Sequence, residues 1–137
     1  MTMELRPTAP TWKAPAEWFT GDVCVTPIYA GEEPSRARLS LVRFTPGART
    51  AWHRHAVGQT LHVTDGVGYV RSRGGEVVTM RAGDTVYTPP GEWHWHGATG
   101  TTMMCHLALW EGNGPDADEP ETVWGEHVAD GDVPSSL

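Results

Sequence analysis

Short runs of apolar or alternating residues, separated by turn residues, make up most of this chain. Such runs are typical of β-strands, and no helical period persists for more than about two turns. Strands are predicted at Val23–Tyr29, Arg38–Phe44, Ala51–His55, Thr60–Thr64, Gly68–Arg73, Glu76–Arg81, Thr85–Thr88, Trp93–His96 and Thr102–Trp110. Gly74-Gly75 is a two-residue hairpin signal, and Asp65-Gly66 is predicted to be a turn between two strands. The pattern predicts one all-β domain, either a sandwich or a barrel.

The strand pattern is absent from both ends of the chain. Residues 1–14 contain prolines and no apolar run, so they are predicted to form a flexible N-terminal arm. Residues 15–128 are predicted to form the barrel domain, and residues 129–137 a C-terminal tail. Within the barrel, residues 112–121 are rich in glycine, proline and acidic residues, which predicts an exposed acidic loop.

Composition and charge indicate a small β-protein and argue against nucleic-acid binding. The chain has 137 residues, the length of about one domain, and its 16 glycines and 11 prolines favour a loop-rich β-protein. All ten basic residues lie at or before Arg81, whereas ten of the 17 acidic residues lie after it. No basic stripe is available for nucleic acid, so the acidic half is interpreted as a solvated surface.

The cysteines and the terminal segments indicate where the protein works. Cys24 and Cys105 are too few for a disulfide framework and stand in apolar runs, so both are interpreted as small hydrophobic residues. The sequence has neither a signal-peptide pattern nor an apolar stretch of membrane-spanning length. A soluble, cytoplasmic protein without a membrane partner is expected.

The histidines carry the candidate chemistry. Six of the seven lie between His53 and His106, and four of these six form two pairs spaced two residues apart. Residues two apart in a strand point to the same face, so His53 and His55 share one face, as do His94 and His96. Imidazoles converging inside a barrel favour a transition-metal site, and an incompletely filled set of ligands favours catalysis. The alternative is that these histidines alternate on the surface by chance.

Two signature segments carry a resemblance to a known family. The first, Gly47–Gln59, contains His53, His55 and Gln59 and closes at Gly66, whereas the second, Gly83–His94, ends in Pro-Gly-Glu-Trp-His. Both segments, in this order, resemble the cupin family. The resemblance implies a double-stranded β-helix, or jelly-roll barrel, in a single domain.

Within the cupins, the chain resembles the bacterial manganese-dependent hydroxynitrile lyases, of the (R)-mandelonitrile lyase type. The matching stretches are Pro15–Gly21, Phe44–His53, Gly58–Leu61, Pro90–Gly97, His106–Ala108 and Glu126–Val128. The resemblance implies a divalent metal held by His53, His55, Gln59 and His94. Cupins commonly have Glu where this chain has Gln59, so the ion would keep nearly its full charge and favour Lewis-acid chemistry.

The resemblance also implies roles for residues beyond the metal. His106 and His96 match a further pair of histidines, and either could take the hydroxyl proton during cyanohydrin cleavage. The strand phase predicts apolar or hydrogen-bonding walls for a small substrate. The candidates for this wall are Ser40, Val42, Thr50, Tyr87, Met104 and Trp110. His62 is out of phase with Gln59 and is predicted to lie outside, and His127 carries no argument for chemistry.

Several alternatives remain open from the sequence. Bound to Fe²⁺, the same ligands could support a dioxygenase, and a Lewis-acid ion could support an isomerase or a decarboxylase acting on a small hydroxy acid or lactone. A metal-dependent binding module without catalysis is the third. The resemblance favours Mn²⁺, although the donor types also admit Fe²⁺, Co²⁺, Ni²⁺ and Zn²⁺. It further implies a homodimer or homotetramer.

Overall fold

The computed structural model of the protein describes residues 2–135, and these residues form twelve strands and one 3-10 helix at Asp130–Asp132. The strands are β1 (Trp12–Lys13), β2 (Phe19–Thr20), β3 (Val23–Ala30), β4 (Ala37–Phe44), β5 (Arg49–Thr50), β6 (His53–His55), β7 (Gln59–Ser72), β8 (Val78–Arg81), β9 (Thr85–Thr88), β10 (His94–Ala98), β11 (Met104–Glu111) and β12 (Thr122–Trp124). The prediction of an all-β chain is confirmed. Within these described residues, no helix has the length and apolar character needed to cross a membrane.

The strands form one antiparallel sheet that curls into a barrel. The continuous path of paired strands runs β1-β3-β4-β11-β7-β10-β5-β2, with β6, β8, β9 and β12 attached at its sides. Strand β7 belongs to both halves of the barrel: its first part pairs with β11 and β9, and its second part pairs with β10 and β8. The two halves are therefore joined by hydrogen bonds along one long strand.

The turn predicted at Asp65-Gly66 is a bend inside β7. The pairing with β11 changes register here, from Cys105 opposite Asp65 to His106 opposite Val63. Gly66 has a φ of 78°, and a Cβ at this position would lie 1.8 Å from the carbonyl oxygen of Met103. Only glycine can adopt this left-handed conformation so close to a neighbouring backbone. The glycine signal was interpreted correctly as a break in the pleat but wrongly as the end of a strand.

Other predicted boundaries shift because tertiary pairing sets them. Of the predicted strand Ala51–His55, only His53–His55 forms a strand, β6, and a separate short strand, β5, precedes the run at Arg49–Thr50. The two strands pair with different parts of β10. The hairpin at Gly74-Gly75 exists, but its loop is longer than two residues, since Val70 pairs with Val78. Residues 12–13 of the predicted arm pair with β3, so the prediction of a flexible arm is wrong for these two residues.

The core fills the barrel and extends under the C-terminal segment. Phe44, Leu61, Val63 and Met80 are among the buried residues between the two halves. A second cluster contains Trp52, Tyr69, Trp95 and Val128. The guanidinium of Arg49 donates to the carbonyl oxygen of Val128 at 3.0 Å and to the carboxylate of Asp130 at 2.6 Å. The start of the predicted C-terminal tail is therefore tied to the barrel, while Met1 of the predicted arm and residues 136–137 of the tail lie outside the described residues.

Candidate metal centre

Five histidines from three strands meet inside the barrel. His53 and His55 lie on β6, His94 and His96 on β10, and His106 on β11. All five are between 0% and 5% exposed, whereas Arg54, which lies between the first pair, is half-buried at the other face. Strands β6 and β10 pair with His53 opposite His94. The two-residue spacing and this register together explain why the imidazoles converge.

The ring nitrogens come close enough to share one ion. The rings of His53 and His94 are 4.2 Å apart between centroids, and those of His53 and His55 are 5.1 Å apart. One potential ligand atom from each of His53, His94 and His96 lies within 4.8 Å of the other two. The Oε1 atom of Gln59 lies 3.1 Å from Nε2 of His94, so an amide oxygen adjoins the cluster.

Hydrogen bonds on the far side of the rings orient three of these histidines. Nδ1 of His53 donates to the carbonyl oxygen of Ala51, and Nδ1 of His94 donates to that of Glu92, both at 2.9 Å. A carbonyl only accepts, so each bond fixes the proton on Nδ1 and leaves Nε2 with a lone pair. Nδ1 of His55 lies 3.0 Å from the Thr122 hydroxyl, and its buried Nε2 has no hydrogen-bond partner. Unpaired buried nitrogens of this kind fit a divalent metal ion.

The remaining two histidines are bound to each other. Nε2 of His106 and Nδ1 of His96 are 3.0 Å apart, and Phe44 packs against both rings. The outer nitrogens of this pair, Nε2 of His96 and Nδ1 of His106, are buried without a partner. One nitrogen of the shared bond must donate and the other accept, so two tautomeric arrangements are possible.

Burial keeps all five imidazoles uncharged at neutral pH. It lowers the pKa of His55 to about 3, with the neighbouring His94 as a second cause, and it lowers the pKa of His106 to about 4. The pKa values of His53 and His96 lie well below the ordinary value, because of burial first and neighbouring histidines second. The pKa of His94 is lowered by burial as well. Neutral imidazoles are the form that ligates metals and accepts protons.

A cavity of about 160 Å³ opens beside the histidines. Four of the predicted substrate-binding residues line it: Ser40, Val42, Thr50 and Trp110. Among the described residues, the lining includes no aspartate, glutamate, lysine or arginine, so no carboxylate in this wall would offset the charge of a bound cation. Gln59, rather than a glutamate, is consistent with this uncharged wall.

Two of the predicted wall residues lie elsewhere. Tyr87 is 63% exposed and lines a separate surface groove with Leu109, because the inward position on β9 is taken by Val86, which packs against the core. Met104 is fully buried in the core and packs beside Gly68, where a glycine leaves room for its side chain. The structure therefore does not bring these two residues to the cavity: Tyr87 has the opposite strand phase, and Met104 lies outside the cavity lining. His62 is exposed and bonds Thr85, as its phase predicted.

The aromatic wall of the cavity was not predicted from the sequence. This part of the lining comes from Trp12, Trp18, Phe19 and Trp124. Trp18 and Trp124 stack in parallel with 5.1 Å between ring centroids, and Trp124 lies 4.7 Å from the His53 ring. The sequence signal for this wall was Trp124, a tryptophan in an otherwise acidic C-terminal segment, because large apolar residues are uncommon in solvated tails.

The acidic loop also differs from the prediction in part. Half of residues 112–121 are exposed, but the half-buried Glu119 pairs with Arg54 at 3.0 Å. Glu121 accepts a hydrogen bond from the indole of Trp110 at 3.0 Å and pairs with Arg38 at 3.3 Å. This end of the loop therefore holds a wall residue of the cavity in place.

The fold and the site together define a β-barrel protein with a group of three histidines positioned to bind a metal ion. Residues 40–110 match the family model described as the cupin domain. The chain belongs to the cupin family, as its two signature segments predicted.

Individual relatives narrow the comparison. The chain is 48% identical over 118 residues to an (R)-mandelonitrile lyase from Granulicella tundricola, an alignment that covers 86% of this chain and 87% of that enzyme. It is 41% identical over 71 residues to gentisate 1,2 dioxygenase 1 from Aquipseudomonas alcaligenes, covering 52% of this chain and 18% of that enzyme. Among solved structures, a cupin-like protein from Thermotoga maritima superimposes with a TM-score of 0.78 at 33% identity, covering 88% of each chain.

Proposed function

We propose that this chain is a metal-dependent hydroxynitrile lyase, which cleaves cyanohydrins such as mandelonitrile into an aldehyde and hydrogen cyanide, and forms them in reverse. The observation that carries the proposal is a hydrogen-bonded pair of neutral histidines beside a metal-binding group, in a chain 48% identical to an (R)-mandelonitrile lyase. Cyanohydrin cleavage needs a base for the hydroxyl proton and stabilisation of the departing anion.

The proposed ligands are His53, His55, His94 and Gln59, with Mn²⁺ as the first candidate. The unpaired Nε2 of His55 and the oriented rings of His53 and His94 support this set. His96 is also near enough to ligate, but its Nδ1 is engaged with His106, which favours a role in proton transfer. A divalent ion held here would supply Lewis acidity for an oxygen of the substrate and positive charge for the leaving anion.

The pair of His96 and His106 is suited to moving one proton. When Nδ1 of His96 donates to Nε2 of His106, the outer nitrogen of His96, Nε2, has a free lone pair, and the outer nitrogen of His106, Nδ1, bears a hydrogen. In the other arrangement these positions are reversed. In both, one outer nitrogen accepts a proton while the other can donate one, so the pair can take the hydroxyl proton and later return it to cyanide.

The cavity wall supports an aryl cyanohydrin as substrate. Val42, Trp110 and Trp124 supply apolar and aromatic surface for a ring. The Thr50 hydroxyl accepts a hydrogen bond from the backbone N–H of His96 at 3.2 Å, which leaves its own hydrogen free to donate to a substrate oxygen. Ser40 can donate in the same way from β4.

The decisive experiment couples elemental analysis with an assay of hydrogen cyanide release from mandelonitrile. Purified protein should contain one divalent ion per chain and should release hydrogen cyanide faster than the double variant His53→Ala/His94→Ala measured in parallel. Equal rates for the two proteins would contradict the lyase proposal, even if the wild type contains metal.

A second candidate is an iron-dependent dioxygenase, which the 41% identity to a gentisate 1,2 dioxygenase over 71 residues favours. That match covers 18% of the dioxygenase and 52% of this chain, so it extends over less of the chain than the lyase match does. Loading the metal-free protein with Fe²⁺ and recording oxygen uptake with gentisate separates the two. Stoichiometric oxygen consumption would favour the dioxygenase.

A further inference from the structure

Thr122 makes a contact with the metal-binding cluster that differs in kind from those made by the other orienting groups. It lies at the start of β12, opposite His55 in the pairing of β12 with β6. Its hydroxyl oxygen is 3.0 Å from Nδ1 of His55, whereas His53 and His94 are oriented by the main-chain carbonyls of Ala51 and Glu92.

The chemical difference between these partners matters for the proton. A carbonyl oxygen can only accept, so the tautomers of His53 and His94 are fixed by the backbone regardless of any ion. A hydroxyl can accept from Nδ1–H or donate to a bare Nδ1. Nδ1 of His55 therefore has a hydrogen-bond partner in two arrangements, and only the one with hydrogen on Nδ1 leaves Nε2 free to ligate.

We propose that Thr122 is a positioning residue that turns the His55 ring and holds its hydrogen on Nδ1 in the ligating state. The inference rests on the proposed metal ligands. It also makes β12, which belongs to the acidic C-terminal region of the sequence, a component of the metal centre.

The neighbours of Thr122 hold it in place from both sides. Before it in the chain, Glu121 is bound by the Trp110 indole and by Arg38. After it, Trp124 stacks on Trp18 and lies against the His53 ring. A hydroxyl fixed in this way pre-organises the ring of His55, so the ion does not have to order it on binding.

The test compares Thr122→Val, which keeps the shape and removes the hydroxyl, with Thr122→Ser, which keeps the hydroxyl. Thr64→Val is the matched control, because it removes a threonine hydroxyl that donates to the carbonyl oxygen of Cys105 at 3.3 Å, away from the site. Two quantities are measured: the ¹⁵N shifts of the His55 ring in the metal-free protein, and the affinity for Zn²⁺ and Mn²⁺ by competition with a chelator.

We expect Thr122→Val to change the ¹⁵N shifts of the His55 ring, with those of His53 and His94 unchanged, and to weaken metal affinity by about 10–100-fold. Thr122→Ser should restore most of the affinity, and Thr64→Val should match the wild type. Unchanged His55 shifts and unchanged affinity in Thr122→Val would overturn the inference. If wild-type protein binds neither ion, the proposed function fails at the metal, and the shifts of His55 in the metal-free proteins alone decide the role of Thr122.

Discussion

Two pairs of buried histidines lie within one site, and they are held in opposite ways. His53 and His94 each donate from Nδ1 to a main-chain carbonyl oxygen, whereas His96 and His106 bond to each other. In the first pair the backbone dictates where the hydrogen lies. In the second pair either ring can carry the shared hydrogen, because both partners are imidazoles.

The difference separates the two tasks that the proposed reaction requires. A ligand must present the same lone pair to the ion throughout, and a fixed tautomer provides this. A residue that takes and returns a proton must change its tautomer or charge within one turnover. In the proposed function the same side chain therefore serves both tasks, and its hydrogen-bond partner determines which one it performs.

The largest expected effect comes from removing a backbone-anchored ring. Loss of a group that only orients a metal ligand weakens metal affinity by about 10–100-fold. His94→Ala removes a proposed ligand itself, so it should weaken metal affinity by more than this, and activity should fall to background. Metal content and hydrogen cyanide release are measured together. The control is His62→Ala, which removes an exposed histidine outside the site. An unchanged metal content in His94→Ala would show that His94 is not a metal ligand.

Breaking the mutually bonded pair should affect turnover while sparing the metal. His106→Gln should reduce kcat by about 10²–10⁴-fold, the usual contribution of a positioned general base, because His96 loses its imidazole partner. Elemental analysis should show wild-type metal content. A parallel loss of metal and of kcat would instead place His106 among the groups that support the ion.

Acid should destabilise the metal-free protein through both pairs and His55. The folded pKa values of His55 and His106 are about 3 and about 4, below the ordinary value of 6.5, so the unfolded chain binds more protons as the pH falls. Stability is fully present above pH 6.5, and each of these two residues should remove about 1.4 kcal/mol per pH unit below it, down to its folded pKa. Urea unfolding between pH 7 and pH 4 measures the slope.

The comparison for this slope is the variant His106→Gln, which lacks one of the two groups. Its free energy of unfolding should fall less steeply with decreasing pH than that of the wild type. A flat profile for the wild-type protein would show that these rings are solvated in the folded state.

The charge of the ligand set can be changed at one position. Gln59→Glu should tighten metal binding and slow cyanohydrin cleavage by about tenfold, equal to about 1.4 kcal/mol in activation free energy, because a carboxylate reduces the positive charge of the ion. Chelator competition and the hydrogen cyanide assay provide the two readings. Faster cleavage by this variant would contradict the argument that an undiminished positive charge drives the reaction.

The smallest effect is expected at the residue that the sequence placed wrongly. Tyr87→Ala should leave kcat/KM unchanged and alter stability by no more than about 0.5 kcal/mol, because this ring is exposed on the opposite face from the cavity. Trp110→Ala, on the cavity wall, is the comparison and should raise KM for mandelonitrile. Equal effects of the two substitutions would show that the substrate does not enter the cavity.

The histidine cluster could be predicted from the sequence because it depends on local strand geometry. A spacing of two residues in a strand determines which side chains share a face, and His53 and His55 need nothing more. The predicted position of Tyr87 also depended on strand phase. A strand has two faces, and the sequence alone did not show which face of β9 is buried. Met104 is buried as expected of its phase, but its depth in the barrel depends on packing around Gly68.

Features that depend on pairing between strands far apart in the sequence could not be predicted. Strand β12 is three residues long and pairs with β6, about 70 residues earlier in the chain, so no local pattern identifies its partner. The bend at Gly66 was recognised as a break, but its effect depends on the backbone of Met103. The expected homodimer or homotetramer and the cytoplasmic location stay predictions.

The position of Trp124, stacked on Trp18 and in contact with the His53 ring, has a practical consequence. The Trp124 indole is an intrinsic fluorophore beside the proposed ligand His53, and ions with partly filled d shells, such as Mn²⁺ or Co²⁺, quench such emission at short range. Loading of the centre should therefore be visible as a drop in tryptophan emission without any added dye. The difference between wild type and Trp124→Phe would isolate this signal from the six other indoles of the chain.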